Sequence, residues 1–197
     1  MMLVEETQVP NEALPVEALR RHLRLGTGFA EDDVQDAVLA SFLRAAFAAI
    51  EARTDKILLS RGFVLTLHTW SGDVSQRLPV APVPGLTSVT RVDRFGVSQE
   101  FDLAGFRLVA DAQSPRLISV SGGLPRVPSG GTIELRFTAG FGASVEDVPA
   151  DLMQAVLLLA AHYYEYRDAT ALGQGCMPFG VTSLLARYRP MRLGLGT

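Results

Sequence analysis

Three histidines, His22, His68 and His162, and one cysteine, Cys176, are the side chains of this 197-residue sequence best suited to acid–base, nucleophilic or metal chemistry. Their spacing serves none of it. No two histidines stand at the short separations that metal ligands keep, and no His-Glu-x-x-His motif is present. A single cysteine excludes an internal disulfide and a thiolate cage. There is no Gly-x-Ser-x-Gly elbow to expose a serine nucleophile. A triad assembled from distant segments stays open at this level. Gly26-Thr27-Gly28 lacks the Gly-Lys-Ser/Thr of a phosphate loop and reads as a turn between helices. Gly122-Gly123 and Gly130-Gly131 read as loop breakers. Asp32-Asp33 and Glu146-Asp147 fall where helices begin, where carboxylates cap free N–H groups and meet the positive end of the dipole. The sequence is therefore read as non-enzymatic, with no cofactor and no metal.

Two surfaces hold more promise for binding than for catalysis. Tyr163, Tyr164, Tyr166 and Arg167 combine residue types favoured at protein interfaces. Either Tyr163 enters the core with the others at its edge, or Tyr164, Tyr166 and Arg167 form a subunit interface. Near the chain end, Leu184, Leu185, Arg187, Tyr188, Arg189, Met191 and Arg192 mix apolar anchors with arginines. That run is either a docked terminal helix with a frayed tail or an arm that orders on a partner.

The elements that must position these groups follow from periodicity. Residues 1–14 have no period and are expected to form a flexible arm. Val16, Leu19 and Leu23 give a short helix, with Arg20, Arg21 and Arg24 elsewhere on its surface. Leu39, Leu43, Ala46 and Ile50 mark a longer helix to Thr54, about 36 Å long. Phe63, Leu65 and Leu67 alternate at strand spacing. The proline-rich run from Leu78 to Gly85 reads as an extended connector. Segments 88–93 and 97–102 flank Arg94-Phe95-Gly96, a hairpin turn. Short strands follow at 106–109 and 117–120. Ile133, Leu135 and Phe137 mark the clearest strand. Pro149 opens a helix carrying Leu152, Ala155, Val156, Leu159 and Tyr163, and a short segment covers 183–188. The order of helices, strands, helices predicts an α+β fold. A helical base (15–61 with 145–190) holds an inserted antiparallel β lobe (62–144), and residues 191–197 form a tail.

Composition bounds the function. Hydrophobic residues make up 48% and charged residues 20%, ordinary for a folded domain. The net charge is -3, so no overall basic field draws the chain onto nucleic acid or an anionic membrane. Lys56 is the only lysine among 18 basic residues. The arginines bring planar forks suited to bidentate pairing at interfaces. The opening residues lack the charged-then-apolar pattern of a signal peptide, and no apolar run approaches the roughly 20 residues of a membrane span. The chain is expected in the bacterial cytoplasm when made.

Taken in order, these segments resemble the head–tail connector family of tailed phages and gene transfer agents. The similarity runs over roughly residues 16–190. It rests on 18–25 (ALRRHLRL), the Glu31-Asp32-Asp33 start and the helix ending 50–54 (IEART), 78–83 (LPVAPV) with 89–93 (VTRVD), 135–142 (LRFTAGFG) with 148–152 (VPADL), 158–167 (LLAAHYYEYR), and 178–181 (PFGV) with 184–189 (LLARYR). The resemblance implies a twelve-fold ring beneath the portal protein that extends the DNA channel toward a tail-side connector or stopper. It implies DNA passing through without specific binding, a C-terminal segment that contacts the portal, no catalysis, and a final place in the neck of the particle. On that basis, deleting residues 184–197 is expected to leave a folded protein that no longer joins portal-bearing heads. Two rivals remain at this level: a ligand-binding protein or enzyme with a site built from distant residues, and a nucleic-acid module using the Arg-bearing first helix.

Overall fold

The computed structural model describes residues 1–25, 32–166 and 177–189. Gly26-Thr27-Gly28, Glu31, Arg167, Cys176, Met191 and Arg192 lie outside them. The fold is α+β. The chain divides into two compact units, Met1–Gln8 with Leu59–Ala143, and Val9–Leu58 with Ser144–Thr197.

The first unit is built of antiparallel strands: β1 (Met2–Glu5), β2 (Arg61–Leu67), β3 (Ser75–Arg77), β4 (Gly85–Val92), β5 (Ser98–Glu100), β6 (Phe106–Val109), β7 (Arg116–Ser119) and β8 (Thr132–Ala139). They form a five-stranded sheet in the order β1-β2-β8-β4-β5 and a three-stranded sheet in the order β3-β7-β6. Period-two patterning explains the central pair. Phe63, Leu65 and Leu67 of β2 face Phe137, Leu135 and Ile133 of β8 in register, and all six are buried. The Phe63 and Phe137 rings stack with centroids 6.0 Å apart. Burying each such side chain contributes roughly 1.5–3 kcal/mol.

Residues 1–14, expected as a flexible arm, are tied down instead. Met2–Glu5 pairs along β2, from Met2 opposite Thr66 to Glu5 opposite Phe63. Glu5 meets the Arg61 guanidinium at 2.9 Å and Glu6 meets Arg136 at 3.1 Å. Leu14 is buried, and the Arg44 guanidinium donates to the Val9 carbonyl and to Asn11 Oδ1. The physical reason is the outer edge of β2, whose N–H and C=O groups need a partner. Four residues are too few to show a period. β3, three residues long, escapes sequence reading for the same reason.

The second unit contains α1 (Val16–His22), α2 (Asp32–Thr54), α3 (Ala150–Glu165) and α4 (Phe179–Leu185), the last running into a 3-10 turn at Ala186–Tyr188. Leu39, Leu43, Ala46 and Ile50 of α2 and Leu152, Ala155, Val156 and Leu159 of α3 are all buried. α2 packs against α3, α1 packs against both, and α4 lies on α3. Ser144 and Asp147 cap each other across the turn at Val145–Asp147, so that acid pair does serve an element start. Arg20 departs from its reading as a surface residue. It is 4% exposed and ion-paired with Asp36 and Glu17. A guanidinium so enclosed is not available to DNA phosphates, which weakens the reading of α1 as a nucleic-acid element.

Candidate interaction surfaces

The C-terminal segment divides into an inward and an outward set. Leu185 and Tyr188 are buried in their own unit, Leu184 is half-buried, and Arg187 and Arg189 are exposed. Val181, Leu185 and Tyr188, spaced four and three apart, form one apolar stripe, and a short helix buries such a stripe on the nearest apolar face. A polar clamp holds the end of that stripe. The Tyr188 hydroxyl donates to Asp151 Oδ1 at 2.8 Å, and Arg187 reaches Asp151 Oδ2 at 2.9 Å while also donating to the Tyr188 hydroxyl. Asp151 sits in the first turn of α3, where the helix dipole favours its charge. As partner anchors, Leu185 and Tyr188 are therefore corrected: they hold the chain end to α3. For the same reason deletion from residue 184 is expected to damage the fold.

Two expected results follow from the clamp. Asp151→Asn loses the charge that both contacts use, and weakening of the Tyr188 hydrogen bond alone should register in chemical denaturation as a loss of about 1 kcal/mol. An unchanged midpoint would contradict the clamp. Separately, burial pushes the Tyr188 phenol above its ordinary value against the opposing pull of the Arg187 hydrogen bond, and burial raises Tyr163 as well. The folded state thus keeps protons that unfolded phenols release near pH about 10. The associated stability is full below that pH and falls as pH rises through the raised folded values. Urea titrations should show the decline, and Tyr163→Phe should make it shallower. An alkaline limb equal to that of the parent would remove Tyr163 from the account.

Tyr164 is half-buried and meets Phe42 of α2 edge-on, ring centroids 6.1 Å apart. Tyr166 is 50% exposed and lies against His162, centroids 4.7 Å apart. Of the aromatic set, Tyr166 is the one open to a neighbour, and Arg167 lies outside the described residues.

His22, His68 and His162 sit on three different segments. Among the described residues no three His, Cys, Asp or Glu side chains gather as metal ligands. No described helix is long and apolar enough to cross a membrane.

Sequence reading missed a knob and a cleft in the β unit. The turn between β4 and β5 carries Phe95, 76% exposed, and Val97, 65% exposed. The Arg94 guanidinium covers the Phe95 ring at 4.6 Å. The signal was an aromatic residue inside a turn, where polar residues are usual. An open cleft of about 340 Å³ is lined by Phe101, Asp102, Phe106, Ser119, Ser121 and Pro125, among others. Among its lining residues Phe101 and Phe106 meet edge-on, centroids 6.3 Å apart, and the Arg91 guanidinium stands over the Phe101 ring at 5.9 Å. Its walls are fixed by bonds from Trp70 Nε1 to the Pro125 carbonyl at 2.7 Å and from Ser119 Oγ to the Gly123 carbonyl at 2.6 Å.

No protein-family model and no curated protein matches the chain. Solved structures do. The chain is 52% identical to a chain in the neck of an empty gene transfer agent (GTA) particle computed with C6 symmetry, covering 100% of this chain and 99% of that one, with a TM-score of 0.91. It is 48% identical, at the same coverage and a TM-score of 0.85, to a chain in the neck of a native GTA particle computed with C12 symmetry. A chain in the virion of a native gene transfer agent particle matches at 52% identity and a TM-score of 0.87, again over 100% and 99%.

Proposed function

The chain belongs to the neck proteins of gene transfer agent particles, and from that premise we propose that it is the adaptor that forms a ring beneath the portal and joins the DNA-filled head to the tail. The full-length match to neck chains carries this reading. Its physical content is a mechanical part: a fold with exposed contact surfaces and, among the described residues, no cluster of His, Cys, Asp and Glu side chains that could hold a metal.

On this reading the two units divide the work. The helical unit carries the portal contact at the chain end, through Arg187, Arg189 and the continuing residues Met191 and Arg192, with Leu184 at the margin. Tyr166, with Arg167 beside it in sequence, contacts the neighbouring subunit. The ring, expected to be twelve-fold, needs a heterologous interface in which two different faces of one subunit meet. The tail side receives a connector or stopper protein. DNA passes through without specific binding, which the net charge of -3 favours because phosphate affinity comes mainly from basic side chains. The protein is made in the bacterial cytoplasm and ends in the particle neck.

The test is co-sedimentation of the tagged full-length chain with purified heads. Binding to portal-bearing heads and none to heads lacking the portal is expected. Equal recovery with both would defeat the portal assignment.

A further inference from the structure

A knob and a cleft lie at opposite ends of one hairpin. Asp93 Oδ1 accepts from the N–H groups of Phe95 at 2.8 Å and Val97 at 2.9 Å. Gly96, with φ of +82°, supplies the left-handed residue that the turn needs. The tip is therefore rigid and presents Phe95 and Val97 to solvent in one fixed arrangement. Binding such a tip costs little ordering entropy.

The cleft starts where β5 ends. Five residue steps lead from Gly96 to Phe101, at most about 17 Å at roughly 3.4 Å per residue. Its volume of about 340 Å³ lies at the small end of the roughly 300–1,000 Å³ of ligand pockets, which suits one aromatic side chain better than a cofactor. The Phe101 and Phe106 rings both line the cleft, and the Arg91 guanidinium over Phe101 leaves Phe106 as the ring on which a third aromatic would pack. Asp102 lines it, using Oδ1 to accept from the Ala104 N–H at 2.9 Å. Its other carboxylate oxygen suits a guanidinium. Arg94, stacked on Phe95, travels with the ring that would enter.

We propose that the Arg94–Val97 tip of one copy seats in the Phe101–Phe106 cleft of the next copy, Phe95 on the Phe106 ring and Arg94 paired with Asp102. A knob and a cleft at opposite ends of a hairpin cannot satisfy each other within one chain. They match head to tail, the arrangement that closes into a ring when the rotation fits. The inference rests on the ring reading above and adds a specific contact to it.

The experiment uses particles assembled from the full chain with Arg94→Cys and Asp102→Cys in a Cys176→Ser background, treated with a bifunctional thiol reagent shorter than the separation of tip and cleft. A ladder of covalent multimers is expected, with neither single-cysteine variant giving a ladder. Particles that carry the double variant in their necks but yield only monomer would overturn the contact while leaving the ring reading intact. Wild-type chain absent from necks would instead overturn the ring reading. Should the double variant not be incorporated, charge exchange decides. Arg94→Asp and Asp102→Arg should each lower incorporation at least about tenfold, and the two together should restore it. Failure of the pair to restore it overturns the contact.

Discussion

Gly140→Ala is expected to cost about 4 kcal/mol, a large share of the total stability. Gly140 follows β8 with φ of +134°, a region that side-chain-bearing residues rarely enter. A Cβ there would stand 2.4 Å from the Ser60 Cα and 2.5 Å from its nitrogen. These are backbone atoms, held by the Ser60 N–H bond to the Gly142 carbonyl at 2.7 Å, and the Gly140 N–H itself donates to the Pro82 carbonyl at 3.0 Å. No side chain can swing aside. Strained backbone contributes about 1–3 kcal/mol and overpacking a similar amount, against a total stability of about 5–15 kcal/mol. Denaturant unfolding of purified protein reads the effect. A loss under about 1 kcal/mol would mean that the Ser60 and Gly140 segments are not packed as described.

Removing residues 190–197 is expected to do the opposite: preserve the fold and impair assembly. The inward set, Val181, Leu185 and Tyr188, stays in place, and so does the Asp151 clamp. The unfolding free energy should stay within about 1 kcal/mol of the parent, since the buried contacts named above all lie outside the deletion. Incorporation into portal-bearing heads should fall by at least about tenfold, equivalent to about 1.4 kcal/mol of binding. Deletion from residue 184 would confuse the two effects, because losing a buried Leu185 alone typically costs about 2–5 kcal/mol. Normal assembly by the shorter truncation would remove the chain end from the portal contact.

Much of the architecture was legible because long elements repeat their signal. The stripe Leu39, Leu43, Ala46, Ile50 and the alternation Ile133, Leu135, Phe137 could bury in only one way, and each does. What escaped was short or depended on tertiary context. β1 is defined by the edge of β2 that it covers and not by its own pattern. Arg20 looks like a surface arginine until Asp36 is brought beside it. Leu185 and Tyr188 look equally like anchors for a partner and like core residues, since apolar spacing does not say which apolar face will receive it. Only the position of α3 decides. The cleft near Phe101 draws on residues spread from 101 to 125 across several turns, so no local motif announces it. The hairpin was readable, but the meaning of Phe95 at its tip required knowing that the ring faces solvent.

Electron microscopy of purified particles, with the chain carrying a small internal epitope label on an exposed loop, tests the account most directly. The labelled chain should occupy one rotationally symmetric ring between the portal and the tail, with its C-terminal end toward the portal. Label found on the capsid shell or along the tail, or particles with complete necks that lack the chain, would contradict it.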